Sequence, residues 1–365
     1  MKITAVRVYT YRLPLVRQLL LRTETVQVRQ GFLLKLSSDT GHTAWGEAAP
    51  LPGFSRESLT DTKAALRGIR HRLLGVTIPE GIEQLNGQFN NWLSSFALCA
   101  SVQFAAETAV LGLLARSRGV TLAGMRSHHS LDAVRVNGLI ADDSPVIDTA
   151  RRYSREGYYA VKMKVGRGPI REDVARVRDA RRELGHGVGL RLDANRAWSF
   201  DEAVRFAETI LDCDPEYVEE PLSDPTRLAE LATLTGVRVA FDESLIDMTP
   251  EELPSHTYAS AIILKPTLLG GLERAAMFAR KAHEMKIKAI VSSCFESSIG
   301  IAALAQFAAA YNTTDVPAGL DTLSWFKQDL TDEPIDCSGG RIVVAQSVQA
   351  VNNVIESLLT EVSDG

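Results

Sequence analysis

The chain has 365 residues, 45% of them hydrophobic and 23% charged, with a formal charge of -5. That length accommodates one large α/β unit with a smaller companion, and charge of both signs without long blocks argues against a nucleic-acid partner. No run reaches about eighteen uncharged apolar residues, and residues 1–30 contain neither an unbroken apolar signal core nor a small-residue cleavage site, so neither membrane span nor secretion signal is expected.

Residues 3–11, 31–36 and 43–47 predict antiparallel strands joined by turns. Helical patterns follow near 56–75 and 101–116. The second lies in an apolar stretch broken by Gln103 and Glu107, whose spacing of four places both on one helix face. From about residue 134 a unit repeats, a short β-branched run followed by a turn and a helical pattern. The strand candidates are 135–140, 158–165, 189–195, 217–221, 237–244, 261–266, 288–295 and 318–321. Eight such units predict a closed barrel better than an open sheet. The expected fold is therefore α/β, a modified TIM barrel of the (β/α)7β type over 126–324. An α+β capping domain over 1–125 would be completed by the tail, 325–365, whose Arg341-Ile-Val-Val-Ala run would add one more strand.

Some features carry no chemistry. Arg176, Arg178, Arg181 and Arg182 fall at helical spacing and predict a solvated helix face. Gly166-Arg-Gly follows a strand, but Pro169 and a missing third glycine argue against dinucleotide binding. His128-His129 reads as a surface pair. The cysteines Cys99, Cys213, Cys294 and Cys337 show no ligand spacing and fit a reducing cytoplasm.

The informative pattern is the charge at each strand's C-terminal end, namely Lys162 and Lys164, Asp193, Glu219, Asp242 and Lys265. In a parallel barrel these ends converge on one mouth, where barrel enzymes carry their chemistry. Asp193, Glu219 and Asp242 come from consecutive strands, and oxygen-only ligation points to Mg²⁺, with Mn²⁺ as a possible substitute. The alternative for each acid singly is a cap on the following helix. Asn195, Glu220 and Glu243 stand in the same motifs and would support the ligands. Lys162 and Lys164 share one face of their strand, roughly 6.6 Å apart at their roots. At an effective dielectric of about 20 the second ammonium disfavours the first by about 2.5 kcal/mol, a device for tuning a base, which the ligand carboxylates oppose.

These residues resemble the enolase superfamily. The match includes Lys-x-Lys, Asp-Ala-Asn, Glu-Glu-Pro, Asp-Glu-Ser and Lys265 before Pro266. Within the superfamily the chain is similar to the muconate-cycloisomerase-like dehydratases. That narrower likeness rests on Trp45-Gly-Glu-Ala-Ala-Pro-Leu-Pro-Gly-Phe-Ser, Ser101-Val-Gln-Phe, Val136-Asn-Gly-Leu, Ser292-Ser-Cys-Phe-Glu-Ser-Ser-Ile-Gly and Gly319-Leu-Asp-Thr-Leu. The resemblance implies a small-molecule carboxylate substrate, a succinyl-hydroxycyclohexadiene carboxylate that loses water to give an aromatic ring on the way to menaquinone. It implies Lys164 as base, Lys162 as the neighbour that lowers its pKa, and Lys265 as the cation facing the substrate ring. Ser293, Ser297 and Gly319 are candidates for the succinyl side or, equally, loop residues and a helix cap. Cys294 stands where a small polar residue is expected. The loop 19–25 and the turn 51–55 would close over the mouth, with Phe54 as the apolar contact. The competing readings are an N-acylamino acid racemase or dipeptide epimerase of the same fold, and a non-catalytic barrel that binds without turnover.

Overall fold

The computed structural model describes residues 1–21, 24–126, 130–311 and 316–363; His128-His129 and part of the 19–25 loop lie outside them. Three long strands open the chain, β1 (Ile3–Leu20), β2 (Thr25–Ser38) and β3 (Thr43–Ala48), in one antiparallel sheet. Their burial alternates wherever one face meets the core, as in the BeBiBe run along β1. The helix Leu59–Leu73 starts at a reciprocal cap, in which Asp61 N donates to Ser58 Oγ (3.2 Å) and Ser58 N to the Asp61 carboxylate (2.9 Å). The helix Ala100–Arg118 packs so closely on β3 that a Cβ at Gly46 would stand 1.9 Å from the Ala105 carbonyl oxygen. Only glycine admits that approach.

After β4 (Ala133–Arg135) the described residues form seven parallel strands: β5 (Gly138–Ile140), β6 (Ala160–Lys164), β7 (Gly189–Asp193), β8 (Tyr217–Glu219), β9 (Val239–Phe241), β10 (Ala259–Leu264) and β11 (Lys288–Val291). They pair in sequence order from β5 to β11, with helices between them. The eighth strand expected at 318–321 is reduced to two parallel bridges, Val136 with Ala318 and Ser292 with Gly319. Residues 318–319 thereby stand between the two sheet edges and close the ring. The tail divides its pairing. β12 (Arg341–Val343) joins β4, whereas β13 (Thr360–Glu361) joins β1 in the first sheet.

One expectation needs correction. Arg181, on the helix Ile170–Leu184, is buried and not solvated. Its guanidinium donates to the carbonyls of Cys213 (2.7 Å), Gly185 (2.6 Å) and Val188 (2.8 Å), so it ties the helix end to the loops around it. All four cysteines are free thiols. Among the described residues no helix is long and apolar enough to cross a membrane.

Candidate active site

Sheet register places the strand-end charges side by side. Lys164 is the direct partner of Asp193, and Asp193 of Glu219, across β6, β7 and β8. Alternation along β6 sends Val161 and Met163 into the hydrophobic core while Lys162 and Lys164 face the barrel interior. Asp242 follows β9, and Lys265 follows β10 on the far side of the ring.

These charges pair tightly. Lys162 and Lys164 each place Nζ 2.7 Å from the same oxygen of Asp193, Oδ2. Lys162 also lies 2.8 Å from both oxygens of Glu219, but only Oε1 receives a well-directed hydrogen bond, so Oε2 is a buried acceptor without one. Lys164 further donates to Asn195 Oδ1, and Lys265 to Asp242. The Asn195 amide passes the contact on to Glu243 (3.1 Å). Glu220 is fully buried. It accepts from the backbone N–H groups of Asp242 (3.0 Å) and Ser244 (2.7 Å) and from Arg196 (2.9 Å), so it shapes the turn that presents Asp242.

Burial sets the electrostatics, because taking charge out of water is costly unless it is paired. Burial alone would lower the Lys162 ammonium, but Asp193 and Glu219 hold it well above its ordinary value. The Lys265 ammonium is raised against the same burial effect, chiefly by Asp242. Asp193 is held well below the usual carboxylate range despite its burial, by Lys162, Lys164 and Lys265. Glu219 is pushed up by burial and by the charge of Asp193. For Lys162 the carboxylates thus outweigh both burial and the like charge of Lys265.

The backbone at the mouth is strained. Asn195, Arg196, Glu220 and Phe295 all have positive φ (44°, 60°, 42° and 60°), a region costing roughly 1–2 kcal/mol for non-glycine residues. Such outliers cluster where side chains must be aimed.

One cavity is lined by Lys162, Lys164, Asp193, Asn195 and Lys265 at its floor. Phe54, Ser293 and Gly319 also line it, as do Leu19 and Leu51 of the expected closing segments. The Phe54 ring lies 5.6 Å from Lys265 Nζ. Gly319 is needed for space, since a Cβ there would meet Ser292 Oγ at 2.5 Å. Of the two readings open for Ser297, substrate contact and helix cap, the geometry favours the cap. Ser297 does not line the cavity; its N–H and hydroxyl both donate to the buried Glu47 (3.0 and 2.7 Å) at the start of the helix Ser298–Tyr311. A serine there caps a helix against the first sheet. Cys294 is buried, and burial pushes its thiol well up.

Sequence reasoning missed much of the outer wall: Asn137, Asp142, Arg167, Phe295, Asp321 and Trp325. Asn137, Phe295 and Asp321 lay inside quoted motifs and carried a signal. Arg167 follows β6 directly, in the Gly166-Arg-Gly turn read only against dinucleotide binding, whereas Trp325 is brought in by chain return, which leaves no local pattern.

The acids fit a hard divalent cation in donor type. Three carboxylates on consecutive strands, all but dry, include one oxygen lacking a directed donor. Among the described residues no three acid, imidazole or thiolate groups are gathered round one point, because each of these carboxylates turns toward a lysine.

Barrel, cap and acid-and-lysine mouth together define an enzyme of the enolase class. The family described as "Enolase C-terminal domain-like" matches residues 146–348, and that described as "MenC, N-terminal domain" matches residues 3–78. The chain is 31% identical over 341 residues to the "o-succinylbenzoate synthase" of Aliivibrio fischeri (strain MJ11), covering 91% of this chain and 94% of that protein. It is 29% identical over 340 residues to "Protein PHYLLO, chloroplastic" of Arabidopsis thaliana, of which it spans 20% while 83% of this chain is covered. The solved structure of the L-Ala-D/L-Glu epimerase from Bacillus subtilis is similar with a TM-score of 0.83 at 26% identity, over 94% of this chain and 96% of that one. The chain belongs to the enolase superfamily, and within it to the o-succinylbenzoate synthase family.

Proposed function

We propose that the chain is a carbon–oxygen lyase that dehydrates 2-succinyl-6-hydroxy-2,4-cyclohexadiene-1-carboxylate to 2-succinylbenzoate, in menaquinone biosynthesis. The carrying observation is that Lys164 and Lys265 face one cavity from opposite sides of the ring, with Asp193 in its lining and the buried Glu219 and Asp242 paired to Lys162 and Lys265 behind it. In this reading residues 1–125 with the tail 325–365 form the cap, and 126–324 the catalytic barrel.

Asp193, Glu219 and Asp242 would hold Mg²⁺, or Mn²⁺ in its place, with Asn195, Glu220 and Glu243 aiming them. Bound there, the cation supplies Lewis-acid stabilisation of charge developing on the substrate carboxylate. Lys164, in its neutral form, takes the ring proton next to that carboxylate. Lys162 stays charged between Asp193 and Glu219 and adds a fixed positive field beside the base. Lys265 stabilises the anionic ring from the other face, held by Asp242 and backed by Phe54. The ring C–O bond then breaks, and the proton on Lys164 leaves with the hydroxyl as water on the same face. Aromatisation drives the step. Ser293 and Gly319 would receive the succinyl end.

The second reading is racemisation, which would use Lys164 and Lys265 as bases on opposite faces. A dipeptide would also need an acid for its ammonium group. Of the outer-wall acids, Asp321 accepts from Tyr158 (2.8 Å) and Asp142 Oδ2 pairs with Arg167 (2.9 Å), while Asp142 Oδ1 is a buried acceptor without a hydrogen bond and the exposed Asp143 meets Arg17 at 3.4 Å. The choice between the succinyl-cyclohexadiene and an N-succinyl amino acid is therefore made by assay. The deciding assay gives the purified chain each of these in D₂O with Mg²⁺. Formation of 2-succinylbenzoate supports the dehydratase; α-deuterated N-succinyl amino acid without dehydration would replace it with the racemase.

A further inference from the structure

Arg29, on β2, is 2% exposed, yet the five described hydrogen bonds of its guanidinium all end on carbonyl oxygens. Nη2 donates to Ala49 (2.7 Å) and Cys294 (3.0 Å), Nη1 to Pro50 (2.7 Å) and Gln30 (3.3 Å), and Nε to Phe295 (3.2 Å). One side chain thus joins the start of the cap turn to the loop after β11. Both segments wall the cavity, through Leu51 and Phe54 on one side and Ser293 and Phe295 on the other.

The Phe295 contact bears on the cavity wall directly. Phe295 is held at φ 60°, a conformation a bulky residue adopts only under constraint, and its ring meets Trp325 edge-on at 5.2 Å. Arg29 binds the carbonyl of that residue and of the one before it. Without those bonds the peptide can relax to negative φ, and the ring leaves its place in the wall. A lysine cannot replace the fork, because one ammonium offers three donors from a single point and would leave buried carbonyls without partners.

We propose that Arg29 is a positioning residue, which locks the cap turn 49–55 to the barrel loop 292–297 so that the walls around the distal end of the substrate are set as one unit. This rests on the reading above that Ser293 and Gly319 receive that end. Because the effect falls on a remote part of the substrate and not on the reacting carbon, loosening it weakens binding more than chemistry.

The test compares the full-length wild type with Arg29→Lys on the cyclohexadiene substrate with Mg²⁺. For Arg29→Lys, KM rises about tenfold, kcat changes less than about threefold, and the Mg²⁺ concentration for half-activation stays within about twofold. A residue that only stabilised the fold would lower the active fraction, so kcat would drop with KM unchanged; that result overturns the proposal. If Arg29→Lys yields no folded protein, native-state hydrogen exchange of the wild type decides. The Ser55 and Cys294 amides, bonded to Leu51 O (2.8 Å) and to Glu296 (2.6 Å), should open with the same denaturant dependence. Separate openings refute the lock. Absence of turnover by the wild type would count against the proposed function, and the exchange measurement, which needs no substrate, then judges the lock alone.

Discussion

Asp193 Oδ2 stands between two ammonium groups at equal distance, and the two lysines differ in their second partner. Lys162 has a second carboxylate, Glu219, and so remains a cation; the second described partner of Lys164 is a neutral amide, Asn195. Lys164→Ala should therefore abolish dehydration, by at least about 10³-fold in kcat, since general base catalysis alone contributes 10²–10⁴-fold. Substrate exchange with D₂O, followed by mass spectrometry, should vanish with it. Exchange at the wild-type rate would assign the base to Lys265 instead. For Lys265 the expected role is electrostatic. Lys265→Arg keeps the charge but is too basic to accept a proton, so it should retain about tenfold more dehydratase activity than Lys265→Ala. Equal loss in both, measured by steady-state kinetics, would point to proton transfer through Lys265. At this scale the strand-end charges were readable, because a charge in an apolar strand is costly and stands out. For Ser297 two readings stayed open, substrate contact or helix cap, because its partner Glu47 lies on a strand 250 residues earlier.

Helices meet across the joint through buried carboxylates. Glu107, on the helix Ala100–Arg118, accepts from Gln103 (2.7 Å) and from the N–H of Glu273 (2.9 Å) at the start of the helix Leu272–Met285. Glu273 in turn accepts from Phe89 (3.1 Å) and Asn90 (2.8 Å) at the next helix start. Burial pushes the Glu107 carboxyl from 4.5 up to about 8. The sign follows from linkage. Between these values the folded chain holds a proton that the unfolded chain releases, so this contribution is full below 4.5 and lost as pH rises toward 8. Denaturant unfolding at about pH 5 and about pH 8 should show wild-type stability falling more steeply than in Glu107→Gln, which has no proton to lose. Parallel slopes would mean the carboxylate is ionised throughout. That Gln103 and Glu107 share one helix face was foreseen from their spacing of four; their hydrogen bond was not. Nor was their contact with a helix of the barrel, because nothing local encodes it.

The proposed ligands come from neighbouring strands separated in sequence by entire helices, so a cation that drew them together should act on global stability as well as rate. Mg²⁺ at about 100 times its dissociation constant should stabilise the folded chain by about 2.7 kcal/mol, read as a rise in Tm. Chelation should abolish turnover and lower Tm, with Mg²⁺ or Mn²⁺ restoring both. Asp193→Asn, Glu219→Gln or Asp242→Asn should each weaken that response, measured by calorimetric titration. Full activity in EDTA would remove the metal from the proposed reaction.

The sequence by itself determined the repeat, the barrel class and the residues at the strand ends. Alternation at β6 and the strand-end positions of Asp193, Glu219 and Asp242 follow from backbone geometry, which acts over neighbouring residues. Only the tertiary structure decided how those charges pair, that the last strand shrinks to two bridges, and that Arg29, Glu47, Arg167 and Trp325 shape the mouth. Register, ring closure and burial are set by contacts between segments far apart in the chain. A guanidinium binding five carbonyls on three segments leaves no periodicity for a local reading to find.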